Sequence, residues 1–195
     1  MNRIIWFFCV LISLFSLQIA QADFFDRYEK LTPQDMPELS FTNPEGYPVT
    51  LDAYKGRIVV LNIWSITCGP CVAEMPSLDQ LAGSFDEDKL MIITLNVDPI
   101  KKIGVDKFYE QNQYRYLGVY QDPTRQSQEA FKWNALPTTL IINKEGKLIG
   151  RKIGATKWDD PQVIKIFEQL IDGKEITVPQ PSFSDKIKGF FKSKS

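Results

Sequence analysis

The run Ile58-Val59-Val60-Leu61-Asn62-Ile63-Trp64 is almost unbroken by polar side chains and leads directly into Cys68-Gly69-Pro70-Cys71. A continuous apolar stretch of this length is the pattern of a strand covered on both faces. From Pro70 to Phe85 the period changes to that of a helix, with Val72, Met75, Leu78, Leu81, Ala82 and Phe85 on one side and a kink expected at Pro76. The chain must therefore fold so that a cysteine pair sits at a strand-to-helix junction. A helix N-terminus lowers the pKa of the first thiol, and one turn of helix brings the second within bonding reach. The pair Cys68–Cys71 is thus expected to form a reversible disulfide, since exchange needs an attacking thiolate and a neighbouring thiol to resolve the mixed intermediate.

Residues 1–22 read separately from the rest. Arg3 is followed by the apolar block Ile4 to Leu17 and by Ala20-Gln21-Ala22, small residues suited to a cleavage site. The block is short for a bilayer span, which takes roughly 20 residues, so a cleaved signal peptide is favoured over an N-terminal anchor. The folded part is expected to be periplasmic or otherwise exported, beginning near Asp23. Cys9 is then an apolar filler of the leader, and the mature protein holds only Cys68 and Cys71 of the three cysteines. A single close pair is no disulfide framework, and its loop is too short to add much chain-entropy stabilisation. Structural zinc lacks ligands, because the chain has no histidine. The same absence excludes Ser-His-Asp and Cys-His hydrolases and c-type haem attachment. Two alternatives to redox exchange stay open, a Cu(I) site of two thiolates and a fixed staple. A net charge of −1 favours neither a nucleic-acid nor an anionic-membrane partner.

With 195 residues the chain has the length of one domain after the leader. Residues 23–36 read as a lead-in helix or loop. Residues 37–51 read as a hairpin around Asn43-Pro44-Glu45-Gly46. Further elements are a buried strand Leu90 to Val97, a helix Ile103 to Gln113 and a strand Tyr116 to Tyr120. After these come a helix Pro123 to Trp133, a hairpin Thr138 to Asn143 with Lys147 to Ile153, and a helix Asp160 to Ile171. Alternating strands and helices imply an α/β three-layer sandwich spanning 37–173. Residues 174–195 read as a flexible tail with a basic end from Lys186 to Lys194. Arg57, Arg115, Arg125 and Arg151 form no cluster and read as solvated charges.

Strand, Trp64-x-x-x-Cys68-Gly69-Pro70-Cys71, helix, and later Leu136-Pro137-Thr138-Thr139 before a hairpin resemble the thioredoxin fold. The N-terminal hairpin ending in Leu51-Asp52-Ala53-Tyr54-Lys55-Gly56, the insert from Pro99 to Trp133 and Glu74-Met75-Pro76 narrow the resemblance to exported thiol–disulfide reductases of the TlpA/ResA/DsbE type. The Gly-Pro dipeptide between the cysteines is instead the thioredoxin one. The resemblance implies a thioredoxin-like sandwich with an N-terminal β-hairpin and a central helix–strand insert. It also implies a monomer without cofactor or bound metal that acts on protein disulfides. Apocytochrome c or a copper-centre assembly factor would be the target, and a membrane thiol donor of the CcdA/DsbD kind would recharge the dithiol. Disulfide oxidase or isomerase activity and Cu(I) delivery are the alternatives.

The resemblance also distributes roles. Cys68 is the nucleophile and Cys71 the resolving thiol. Gly69 and Pro70 leave the approach open to a bulky substrate. Leu136-Pro137 is a cis-proline loop whose backbone pairs with a substrate peptide, and Gly154 and Ala155 border the same groove. Where thioredoxins bury an aspartate and a nearby lysine, this chain has Asn62 and Thr94, neither of which titrates. Glu74, three residues after Cys71, is then the expected proton acceptor for Cys71, its pKa raised by burial.

Overall fold

The computed structural model describes residues 24–177. One eight-stranded sheet has the order β1-β8-β7-β4-β5-β6-β2-β3. In chain order the strands are β1 Tyr28–Asp35, β2 Ser40–Thr42, β3 Pro48–Thr50 and β4 Ile58–Trp64, then β5 Leu90–Asn96, β6 Val119–Gln121, β7 Thr138–Ile142 and β8 Lys147–Ile153. The helices are α1 Gly69–Gly83, α2 Lys102–Asn112, α3 Gln126–Phe131 and α4 Pro161–Ile171. Strand β4 lies inside the sheet, parallel to β5 and antiparallel to β7, and all its residues are buried.

Because side chains alternate along a strand, β4 feeds two cores. Val60 and Trp64 face α1, α2 and α4, packing with Met75, Leu78, Val105, Tyr109 and Phe167. Val59, Leu61 and Ile63 face the other way, toward Phe131 and Trp133 around α3 and toward Leu39 and Phe41 of the N-terminal hairpin. The expected layers and both hairpins are present. Asn62 falls on the α1 side by the same alternation, which places a polar group inside the first core. Helix α4 is capped by Asp160, whose carboxylate accepts from Gln162 N at 2.8 Å, an arrangement that contributes about 1 kcal/mol.

Four expectations change. The lead-in is neither helix nor loop: Tyr28–Asp35 pair antiparallel with β8 as an edge strand, bulged between Lys30 and Gln34 around Pro33. Its charged, mostly exposed side chains hid the strand period, and they also suit an edge. The strand expected from Tyr116 begins only at Val119. The backbone N–H groups of Arg115, Tyr116 and Leu117 all donate to Asp79 Oδ1 on α1, so they are unavailable to a ladder. The helix expected over Pro123 to Trp133 shrinks to Gln126–Phe131, bounded by left-handed backbone at Arg125 (φ 58°) and Lys132 (φ 51°). Finally, the arginines are not all solvated charges. Arg125 Nε donates to Val97 O and an Arg151 guanidinium nitrogen to Phe131 O, at 3.1 and 3.0 Å. Arg57 pairs with Asp88 at 3.3 Å.

The tail expected to be flexible from residue 174 also begins packed: Ile176 is buried and Glu175 pairs with Lys30 at 2.7 Å, because the segment after α4 lies against the edge strand β1. The leader read over residues 1–22 and the basic end from Lys186 lie outside the described residues. Among the described residues no helix is long and apolar enough to cross a membrane.

Candidate active site

Trp64 closes β4, and Cys68 begins α1 as its N-cap. The Cys68 sulfur accepts from Cys71 N at 3.3 Å, satisfying a first-turn donor that a helix start otherwise leaves open, and its carbonyl accepts the first helical bond from Val72 N at 3.1 Å. Cys68 and Cys71 are joined as a disulfide with Cα atoms 5.2 Å apart. Exposure separates them. Cys68 is half-buried beside exposed Gly69 and Pro70, whereas Cys71 is fully buried against the core that holds Trp64 and Met75. Only the first sulfur is open to a macromolecular partner, and the positive end of the helix favours its thiolate.

The turn before Cys68 is held by a residue that sequence reasoning did not single out. Asp98, buried just beyond β5, accepts from Ser65 Oγ at 2.6 Å, Ile66 N at 2.7 Å and Asn96 Nδ2 at 2.7 Å. Asp98→Ala leaves these buried donors without their acceptor and is expected to cost about 1–3 kcal/mol in denaturant unfolding. It should also speed alkylation of the reduced Cys68, because the turn that shields it loosens.

Opposite the dithiol, Thr138 pairs with Ile63, which sets the preceding Pro137 at the end of the sheet where β4 turns toward Cys68. The Leu136–Pro137 peptide is cis. Gly154 N donates to Pro137 O at 2.8 Å, and a φ of +86° makes glycine the fitting residue there. Ala155 lines a cavity of about 380 Å³ together with Glu74, Ser77, Thr156 and Asp159.

Glu74 is buried on α1, one turn past Cys71. Its Oε1 accepts from Asn62 Nδ2 at 2.8 Å, and its Oε2 accepts from Thr156 N at 2.9 Å and Trp158 Nε1 at 2.8 Å. Burial pushes the carboxyl up to about 7, against the opposing pull of these three donors and of the Lys152 charge. Lys152 is itself buried in β8, opposite Thr139, to which Asn62 also donates. Asn62 and Thr94 do occupy the sheet positions expected of them. Asn62 is bonded to Glu74, and Thr94 Oγ1 lies 2.6 Å from Tyr109 OH. The cation beside the acid comes from another strand. Lys152 had a sequence signal, since Arg151 and Lys152 are adjacent in a strand and must point to opposite faces. Trp158 had none, because it lies in a loop.

A family model described as AhpC/TSA family matches residues 32–151. The chain is 31% identical over 140 residues to the thiol-disulfide oxidoreductase ResA of Bacillus subtilis (strain 168), covering 72% of this chain and 77% of that protein. It is 29% identical over 156 residues to the ResA of Bacillus anthracis, covering 78% and 89%. Among solved structures, the pneumococcal exposed lipoprotein thioredoxin Etrx1 of Streptococcus pneumoniae strain TIGR4 superposes with a TM-score of 0.55 at 27% identity, over 66% of this chain and 98% of that one. StoA of Bacillus subtilis, at 20% identity and a TM-score of 0.54, covers 72% and 98% and shares the fold. An N-capping disulfide with one accessible sulfur, a cis-proline loop at the same sheet end and these relatives converge on one conclusion: the chain belongs to the AhpC/TSA family, with a thioredoxin fold, and is a thiol–disulfide oxidoreductase.

Proposed function

We propose that the protein is an exported reductase that passes an electron pair from the Cys68/Cys71 dithiol to disulfides of target proteins. The observation that carries this is the asymmetry of the pair: one half-exposed sulfur at a helix N-terminus, and one buried sulfur a turn from a buried carboxylate. The Cys68 thiolate attacks a target disulfide, forming a mixed disulfide and releasing one target sulfur as a thiolate. Cys71 then loses its proton to Glu74 and attacks Cys68 Sγ. The second target sulfur leaves, and the Cys68–Cys71 disulfide closes. Electrons balance, since two target sulfurs are reduced and two protein sulfurs oxidised.

A group that takes a proton near neutrality needs a pKa near the working pH, and the burial of Glu74 supports that role. Gly69, Pro70, Leu136, Pro137, Gly154 and Ala155 border the groove for the target peptide. Export rests on the leader pattern and on kinship with proteins such as the exposed lipoprotein Etrx1. A membrane thiol donor of the CcdA/DsbD kind would recharge the dithiol, and apocytochrome c or a copper-centre assembly factor is the target class implied by the resemblance to TlpA/ResA/DsbE proteins.

Two measurements test this. A reduction potential near the thioredoxin value of about −270 mV is expected, whereas one near about −120 mV marks an oxidase and overturns the direction of flow. Expressed in its own compartment, Cys71→Ala should accumulate as mixed disulfides through Cys68. Apocytochromes among the trapped proteins point to haem attachment, and copper-site factors to copper-centre assembly.

A further inference from the structure

Glu74 is not held by its own helix. Oε1 is bonded from β4 by Asn62, and Oε2 is bonded twice from the loop after β8, by Thr156 N and by the indole N–H of Trp158. Trp158 is fully buried, with its ring 6.0 Å from Phe24 and 6.5 Å from Phe167, so the indole has no freedom to leave. The same loop is fastened to α1 a second time: Trp158 N donates to Ser77 Oγ at 3.1 Å, and Ser77 Oγ donates to Glu74 O at 2.8 Å. Only three residues separate Gly154, bonded to Pro137 O, from Trp158.

We propose that Trp158 is a positioning residue for Glu74: its indole N–H, locked by the aromatic core, aims one carboxylate oxygen and favours the ionised form that receives the Cys71 proton. The last clause rests on the role given to Glu74 above, while the positioning itself does not. The remaining groups around Glu74 are Lys152 from β8, whose charge also favours the anion, Asn62 from β4, and Lys157 and Asp159 in the loop that lines the adjacent cavity. Asn62 cannot replace the indole. Its Nδ2 is shared between Glu74 and Thr139, and its buried Oδ1 finds no donor among the described residues. The carboxylate thus depends on the loop for two of its three direct donors.

The experiment follows the Glu74 carboxyl carbon by NMR in the oxidised full chain while pH is varied. Trp158→Phe keeps an aromatic ring and removes the donor. Its Glu74 midpoint should rise by about one pH unit, the scale of losing one hydrogen bond to a charged group. Phe24→Leu trims one side of the aromatic cluster but leaves Trp158 packed on Phe167 and its N–H on Glu74, so it should melt earlier with the midpoint unmoved. An unchanged midpoint in Trp158→Phe overturns the proposal, as does an equal shift in Phe24→Leu. In the parent, the Trp158 indole N–H resonance should move with the Glu74 titration and lose that movement in Glu74→Gln. An indole signal indifferent to that titration overturns the proposal even if Trp158→Phe fails to fold. A moved Glu74 midpoint with an unmoved pH–rate profile for exchange supports the positioning of Glu74 by Trp158 and removes Glu74 from the proton-acceptor role.

Discussion

Cys68→Ser is expected to reduce disulfide exchange to the uncatalysed background while the fold stands. The serine hydroxyl does not ionise at neutral pH and cannot form a mixed disulfide, so no intermediate exists for Cys71 to resolve. Cys71→Ala should behave differently. It keeps the attacking thiolate but lacks the buried sulfur that resolves the adduct, so it should give one stoichiometric burst of mixed disulfide and then stop. The stability cost of losing the bridge is bounded by its loop. Closing residues 68–71 contributes about 2 kcal/mol on a chain-entropy basis, too little to unfold a domain with two packed cores. Turnover by Cys68→Ser at the parental rate would refute the assignment of the nucleophile. A loss of structure by circular dichroism in either variant would mean that the bridge is a staple.

Glu74→Gln carries the second large effect, on stability and rate together. In the folded protein the carboxyl holds its proton up to about 7, against an ordinary value of 4.5. The folded state therefore binds that proton more tightly than the unfolded chain. The resulting stability is fully present below about pH 4.5 and is lost as pH rises through about 7. The loss is about 3 kcal/mol, or a melting temperature lower by on the order of 10 °C. A neutral glutamine removes this slope. Its oxygen can keep the Thr156 and Trp158 donors, and a flipped Asn62 can offer its Oδ1 to the new amide. The difference in stability between parent and Glu74→Gln, measured by denaturant unfolding across that pH range, should swing toward the variant as pH rises. In stopped-flow disulfide exchange the resolution step of Glu74→Gln should slow, because Cys71 loses its proton acceptor. A flat difference would mean that Glu74 titrates at its ordinary value in the folded chain.

The cysteine pair, its helix and the buried strand were legible because each leaves a local mark: a spacing, a period, a run of apolar residues. Glu74 was legible as a polar residue near Cys71 on one helix, and the cis-proline loop through the likeness of Leu136-Pro137-Thr138 to a family motif. The edge strand β1 was hidden because an edge exposed on most sides needs no alternation. The delayed start of β6 was hidden because its cause is tertiary: Asp79 on α1 claims the N–H groups of residues 115–117. The late start of α3 has a local cause that a helical period does not show: left-handed backbone at Arg125, with the Asp122 carboxylate accepting from Gln126 and Ser127 N.

By itself, then, the amino-acid sequence determined that a lone cysteine pair meets a helix start after a buried strand, and with that the chemistry open to this protein. What only the tertiary structure decided is the surroundings of the acid behind that pair. Asn62, Lys152, Thr156 and Trp158 come from two strands and a loop, up to 96 residues apart by the numbering. They meet because the sheet order sets β8 beside β7 and β7 beside β4. A carboxylate's proton affinity is the sum of burial and the donors aimed at it, and both are properties of packing that no local spacing records.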